Sequence, residues 1–328
     1  MRVCFVYRAS GAFHSIEGLF KSVCAALPRE IFSSSHFAPS RRATIKGTLA
    51  NLRSVLSLNT ADLVHVTGDI HYAVLGIWGR PAILTIHDLR FLDESTGLKK
   101  LLFWFWWVYL PCLKAQRITV ISYTTKERLL HYTGVGLAKI RVIPNCVNPR
   151  FSPVPRDWHV GRLAFLLVGT TPNKNLERIV DACAGIDATL MILGRLSGQQ
   201  NDLLVNSGMR WENFMDLSEN MVLQLYSEID LVLFVPTYEG FGLPILEAQA
   251  VGRPLLTSNI LPMADVAGKG ALKVDPFDVS GIRSGIMRLL EDASLRDDLI
   301  QKGFQNVERY SAIGVAEQYA AVYREVLE

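Results

Sequence analysis

Short unbroken apolar runs rich in Val, Ile and Leu punctuate the chain. They are VCFVY (3–7), LVHVT (63–67), AILTI (82–86), RITVI (117–121), KIRVI (139–143), AFLLVG (164–169), TLMILG (189–194), LVLFV (231–235) and PLLTS (254–258). Between them lie stretches of helical length and period at 15–27, 123–133, 174–184, 244–251 and 280–291. Continuous apolar strands alternating with helices predict α/β architecture, with parallel sheets covered on both faces. Nine or more strands fit two doubly wound domains better than one, and 328 residues suit two domains of ordinary size.

The pattern breaks at 149–161, where Pro149, Pro153, Pro155 and Gly161 crowd the polar stretch FSPVPRDWHVGR. Such a stretch cannot continue a sheet. The expected domains are therefore 1–153 and 154–312, followed by a last helix over 313–328 that is a candidate to pack back toward the first domain.

Charge changes sign at the same place. Residues 1–150 hold 19 Lys/Arg against 8 Asp/Glu, a net +11, and the remainder holds 15 against 23, a net −8. A formal charge of +3 conceals this split, which predicts two domains facing different partners. With 49% apolar and 20% charged residues, intrinsic disorder is excluded as the main state. Cys4, Cys24, Cys112, Cys146 and Cys183 are odd in number and never form C-x-x-C, which argues against a disulfide framework or zinc site and for reduced thiols in a cytoplasm. The apolar run at the N-terminus is five residues, too short for a signal peptide and suited to a first buried strand. LLFWFWWVYLPCL (101–113) would reach about 20 Å as a helix, short of the roughly 30 Å hydrocarbon core, so spanning is not expected.

The most informative segment is DLVLFVPTYEGFGLPILEAQAVGRPLLTS (230–258), which reads strand, loop, helix, turn, strand. Gly240 and Gly242 permit close backbone approach, and Pro244 suits the first position of a helix. A helix start at the carboxyl end of a parallel sheet favours phosphate. Glu239 and Glu247, eight positions apart, flank that anion site and are better suited to accept hydrogen bonds from sugar hydroxyls than to bind phosphate.

This segment resembles the E-x7-E signature of the large family of retaining glycosyltransferases that includes sucrose synthase and bacterial polysaccharide and lipopolysaccharide mannosyltransferases. VGTTPNKNLERIVDA (168–182), ILTIHDLRFLD (83–93), ITVISYTTKERL (118–129), IRVIPNCVNPRF (140–151) and SNILPMADVAGKGALKVDPFD (258–278) resemble other stretches of that family, in its order. The resemblance implies the GT-B fold, two Rossmann-like doubly wound domains facing a cleft, and transfer of a hexose from a UDP- or GDP-linked sugar to a glycan or lipid-linked acceptor with retention.

The resemblance also implies site roles. Glu247 would hold the ribose hydroxyls, Glu239 the hydroxyls of the transferred sugar, and the amides of Phe241, Gly242 and Leu243 the sugar and distal phosphate. Lys174 would neutralise the diphosphate. Gly11, in the loop after the first strand, would let the backbone approach the diphosphate, and His87 would orient the sugar or stabilise charge at the transition state. Thr170 and Asn173 are also counted with the donor-binding residues, but they occupy places where relatives carry Arg, so the second positive charge is missing, and Arg195 is a candidate replacement. PNCVN (144–148) stands where the family has PNGVD.

The chain has no Asp-x-Asp, and Lys174 with helix amides can do the electrostatic work of a divalent ion, so no metal and no cofactor is expected. The basic first half, with Arg41, Arg42, Lys46, Arg53 and Lys99–Lys100 beside the aromatic segment, suits peripheral contact with an anionic membrane at its cytoplasmic face. No nucleic-acid module is present. A catalytically silent nucleotide-sugar-binding relative and a nucleotide-sugar epimerase or hydrolase of the same fold are the alternative functions.

Overall fold

The computed structural model describes residues 1–9, 15–41, 44–58, 60–156, 158 and 162–328. It divides into two compact units, Met1–Cys146 with Ala312–Glu328, and Val147–Ser311.

The first unit is built on β1 (Arg2–Tyr7), β2 (Phe32–Phe37), β3 (Leu63–Val66), β4 (Ala82–Ile86), β5 (Arg117–Val120) and β6 (Ile140–Val142). These pair in the order β2-β1-β3-β4-β5-β6, all parallel. On one face Val64, Val66, Leu84, Ile86, Ile118 and Val120 pack with the short helices over 71–76 and 104–114. On the other face Val3, Phe5, Leu63 and Ile83 pack with Phe20 and Val23 of helix Ser15–Ala26 and Tyr319 and Tyr323 of helix Ala312–Leu327. Burial on both faces explains the unbroken apolar runs.

The C-terminal helix is thus built into the first unit. Glu325 binds Arg117 and Arg141 there, and Arg324 binds Glu30. His65 lies beneath it, bonded to Tyr323 Oη at 2.8 Å and to Thr85 Oγ1 at 2.7 Å, with Thr85 in turn bonded to Thr119 at 2.6 Å. These hydrogen bonds satisfy polar groups that strands β3 to β5 place inside the core. Because residues 312–328 carry three acids and one base and Arg150 falls in the second unit, the charge split by unit is +8 and −5, milder than the split by halves.

The second unit contains β7 (Leu163–Val168), β8 (Ala188–Leu193), β9 (Arg210–Phe214), β10 (Leu231–Phe234), β11 (Leu255–Ser258) and β12 (Leu272–Val274), in the parallel order β12-β11-β10-β7-β8-β9. Its core joins Phe165, Leu167, Leu190, Ile192, Leu231 and Leu233 to Ile179, Val180, Ile282 and Ile286 of the covering helices.

Among the described residues twelve strands form where nine runs stand out in the sequence. The additional β2, β9 and β12 all lie at sheet edges, where FSSSHF, RWENF and LKV are largely solvent-facing and need no apolar continuity. The aromatic segment combines two settings. Val108, Pro111 and Cys112 are buried and Phe103, Trp104 and Trp107 pack on the core, whereas Leu98, Leu101, Leu102, Trp106 and Leu113 face solvent.

Candidate functional site

In the second unit the chain winds outward from β7 to β9 on one side and from β10 to β12 on the other. The loops leaving the carboxyl ends of neighbouring β7 and β10 therefore diverge, which is where open α/β sheets take ligands. Residues 169–175 and 235–242 are those two loops.

After β7, Gly169 turns the chain with φ +89°, and Pro172–Lys174 form one tight helical turn. A Cβ on Gly169 would come within 2.8 Å of Lys174 Cε and 3.0 Å of its Cγ, so the lysine side chain runs across bare backbone. Its ammonium continues to 4.8 Å from the Phe234 ring and forms an ion pair with Glu239, both side chains being 18% exposed. Asn173 ties the two loops together: its Nδ2 donates to Tyr238 O at 2.8 Å and to Glu239 Oε1 at 3.2 Å, and its carbonyl accepts from Thr237 N at 2.8 Å. Buried Asn175, with φ 65°, donates to Val235 O at 3.0 Å and Pro276 O at 2.7 Å. Sequence position places Asn173 toward the diphosphate; the fold gives its amide to the Glu239 loop.

After β10 the loop passes Glu239 and enters helix Leu243–Val251 through Gly242 at φ 106°, with Pro244 in the first turn. A Cβ on Gly242 would lie 3.0 Å from Ile245 Cδ1, so close packing and backbone conformation both call for glycine. Phe241 is buried, edge-on to Tyr310 with centroids 5.8 Å apart. No side chain caps this helix start among the described residues, and its first amides carry the positive end of the helix dipole.

Glu247 lies one turn further along the same helix. Tyr226 of helix Glu219–Glu228 donates its phenol to Glu247 Oε2 at 2.7 Å. Burial raises the carboxyl pKa, and the Tyr226 hydrogen bond and the Lys174 charge pull it back. Lys174 thus bears on both carboxylates, pairing with one and stabilising the charge of the other.

Two other predicted residues of this unit make contacts of their own. Thr170 Oγ1 donates to Arg195 O at 2.6 Å, but the Arg195 guanidinium, 77% exposed, pairs with Asp216 and does not join Lys174. Gly11 lies outside the described residues. His87 belongs to the first unit, directly after β4. It is buried against Phe20, its Nε2 donates to Thr67 O at 2.9 Å, and burial lowers its pKa. Among the described residues no group of three His, Cys, Asp or Glu side chains is placed to hold a metal ion.

Sequence reasoning passed over Tyr226, Gly169 and Arg253. Tyr226 is remote in sequence from Glu247, and nothing local links the two. A glycine directly after a strand is a readable signal for Gly169. Arg253 is buried, with its guanidinium donating to Tyr226 O at 3.1 Å, Ser227 O at 2.8 Å and Val154 O at 2.9 Å.

Comparison with known proteins relates the chain to a family and a fold. Residues 3–151 match Glycosyltransferase Family 4, and residues 160–306 match Glycosyl transferases group 1. O-antigen chain mannosyltransferase B of Escherichia coli is 29% identical over 185 residues, 52% of this chain and 49% of that protein. O-antigen chain mannosyltransferase RfbU of Salmonella typhimurium is 27% identical over 228 residues, 66% of this chain and 64% of that protein. The chain thus matches about half to two-thirds of the length of these curated relatives. Among solved structures, Anabaena HepE in complex with UDP-glucose superposes with a TM-score of 0.79 at 16% identity, covering 99% of this chain and 100% of that one. Sucrose-phosphate synthase from Thermosynechococcus elongatus gives 0.78 at 16% identity, covering 99% of each. With two sequence matches that between them take in nearly the whole chain, and with the fold those structures share, the chain belongs to the glycosyltransferases of GT-B architecture.

Proposed function

We propose that the protein transfers a hexose from a UDP- or GDP-linked sugar to a glycan or lipid-linked acceptor, with retention of anomeric configuration and without a metal ion. One observation carries this reading: Lys174 joins the two diverging loops at the carboxyl edge of the second sheet, between Glu239 and Glu247 and beside an uncapped helix start. That constellation pairs a cation and amides for a diphosphate with two carboxylates for hydroxyls. The mannosyltransferase relatives and the UDP-glucose complex of HepE support a nucleotide-sugar donor and a polysaccharide or lipopolysaccharide product.

On this reading Glu247 accepts the ribose hydroxyls, and the amides of Phe241, Gly242 and Leu243 receive the distal phosphate. Lys174 exchanges its Glu239 partner for the diphosphate, which frees Glu239 for hydroxyls of the transferred sugar. The bond from the anomeric carbon to the diphosphate oxygen breaks as the acceptor oxygen bonds the same face. The acceptor proton passes to the departing diphosphate, whose charge Lys174 and the helix amides stabilise. His87, kept neutral by burial, orients the transferred sugar.

The exposed Leu98, Leu101, Leu102, Trp106 and Leu113, beside Lys99, Lys100 and Lys114, support peripheral contact with an anionic membrane on the acceptor side. No helix among the described residues is long and apolar enough to cross a membrane.

Glu247→Ala tests the donor assignment. Nucleotide-sugar binding and turnover should both collapse while unfolding stays cooperative. Unchanged turnover would remove Glu247 from the donor site. Full activity in excess chelator is expected, and strict dependence on a divalent ion would overturn metal-free transfer.

A further inference from the structure

We propose that Tyr226 is a positioning residue of the donor site, its phenol holding the Glu247 carboxylate in the orientation that receives the ribose. The inference rests on the donor reading of Glu247 and extends it one residue deeper. Tyr226 is fully buried, and its hydroxyl donates to Glu247 Oε2 at 2.7 Å. Glu247 Oε1 takes no protein hydrogen bond among the described residues, so one oxygen is anchored and the other left for a ligand.

The phenol is itself held in place. Arg253, two residues past the end of helix Leu243–Val251, captures the carbonyls of Tyr226 and Ser227, the last turn of helix Glu219–Glu228. The Phe151 ring closes edge-on against Tyr226 with centroids 5.3 Å apart. A guanidinium buried against neutral carbonyls fixes the end of one helix relative to the start of the next strand. Tyrosine is an unusual choice for so dry a position when phenylalanine would fill it. Its hydroxyl is explained by Glu247, its hydrogen-bond partner in the structure.

The phenol also acts on the charge of the carboxylate. Among the described residues Tyr226 and Lys174 are the titratable groups that bear on Glu247, and both favour its ionised form against the opposing effect of burial. Ionised Glu247 accepts hydroxyl hydrogens on both oxygens, whereas the protonated acid loses part of that capacity. Removing the phenol should therefore raise the Glu247 pKa and move the acidic limb of nucleotide affinity to higher pH.

The test uses the full chain titrated with UDP, GDP and inorganic pyrophosphate between pH 5 and 8, as wild type, Tyr226→Phe, Glu247→Gln and the double variant. Tyr226→Phe should weaken the better-bound nucleoside diphosphate about tenfold, leave pyrophosphate within about twofold, and shift the acidic limb upward. Glu247→Gln should abolish the limb, and adding Tyr226→Phe to it should cost nothing more. Wild-type nucleotide affinity in Tyr226→Phe beside a weakened Glu247→Gln would overturn the positioning role and leave the donor reading standing. Parallel loss of pyrophosphate binding would reduce Tyr226 to a packing residue. Unchanged affinity in Glu247→Gln would overturn both readings. Should Tyr226→Phe fail to fold, replacing Tyr226 by 3-fluorotyrosine keeps the shape and strengthens the donor. The limb should then move to lower pH, and an unmoved limb counts against the proposal.

Discussion

Gly169→Ala separates the shape of the donor site from its chemistry. The substitution adds one methyl and leaves every proposed donor-binding side chain in the sequence. It meets two obstacles. At φ +89° the new Cβ faces the left-handed penalty, about 1–2 kcal/mol. The methyl would also stand 2.8 Å from Lys174 Cε and 3.0 Å from Cγ, against about 3.5–4.0 Å for unstrained carbon contacts, so the lysine chain must move by about 1 Å. The lysine is flexible and can give way, so the stability loss should stay near the backbone penalty. Its ammonium, however, leaves the place where it bears on Glu239 and Glu247. A displacement of that size costs on the order of a hundredfold in a positioned site. The expected result is a fall of about 1–2 kcal/mol in urea unfolding with an unchanged m value, together with a fall of about a hundredfold in kcat/KM for the donor. In a Lys174→Ala background the same glycine substitution should still cost stability but take nothing further from kcat/KM. A Gly169→Ala enzyme with wild-type kcat/KM and the expected stability loss would refute the claim that the lysine path across bare backbone sets the site. Equal losses of kcat/KM in both backgrounds would show that the effect does not pass through Lys174.

Two further predictions concern the first unit. Burial lowers the His65 pKa to about 3, so the folded state refuses a proton that the unfolded chain binds below about pH 6.5. The associated stability is complete above pH 6.5 and is lost on acidification toward pH 3, at up to about 1.4 kcal/mol per pH unit. Urea midpoints at pH 7 and pH 5 should show that loss, and it should shrink in His65→Gln. The exposed apolar face can be probed with Leu102→Glu and Trp106→Glu, both at side chains about half exposed. Each should weaken salt-sensitive co-sedimentation with anionic vesicles severalfold while leaving thermal unfolding nearly unchanged; wild-type sedimentation by both variants would remove the membrane proposal.

Much of the fold is legible along the chain because parallel strands buried on both faces must be apolar throughout, as LVLFV (231–235) and AFLLVG (164–169) are. The edge strands FSSSHF and RWENF escape that requirement and escape notice with it. Glu239, the GFGLP turn and Glu247 are readable because one strand–loop–helix segment holds all three. Tyr226 is not, because the tie to Glu247 exists only once the preceding helix packs beside its own. The missing second cation shows the limit in another way. Arg195 is a reasonable replacement by position, but its exposed side chain reaches Asp216, and strand order gives no hint of that choice.

Residue order alone was enough for two doubly wound sheets, a phosphate-favouring helix start and two carboxylates eight positions apart, because each of these is a local regularity of backbone and hydropathy. Packing alone decided which side chains meet. It set Lys174 across Gly169 onto Glu239, turned Asn173 inward, anchored Glu247 on Tyr226 and carried the acidic C-terminal helix into the basic unit. Those contacts join residues distant in sequence, and their existence depends on distances that no local propensity encodes.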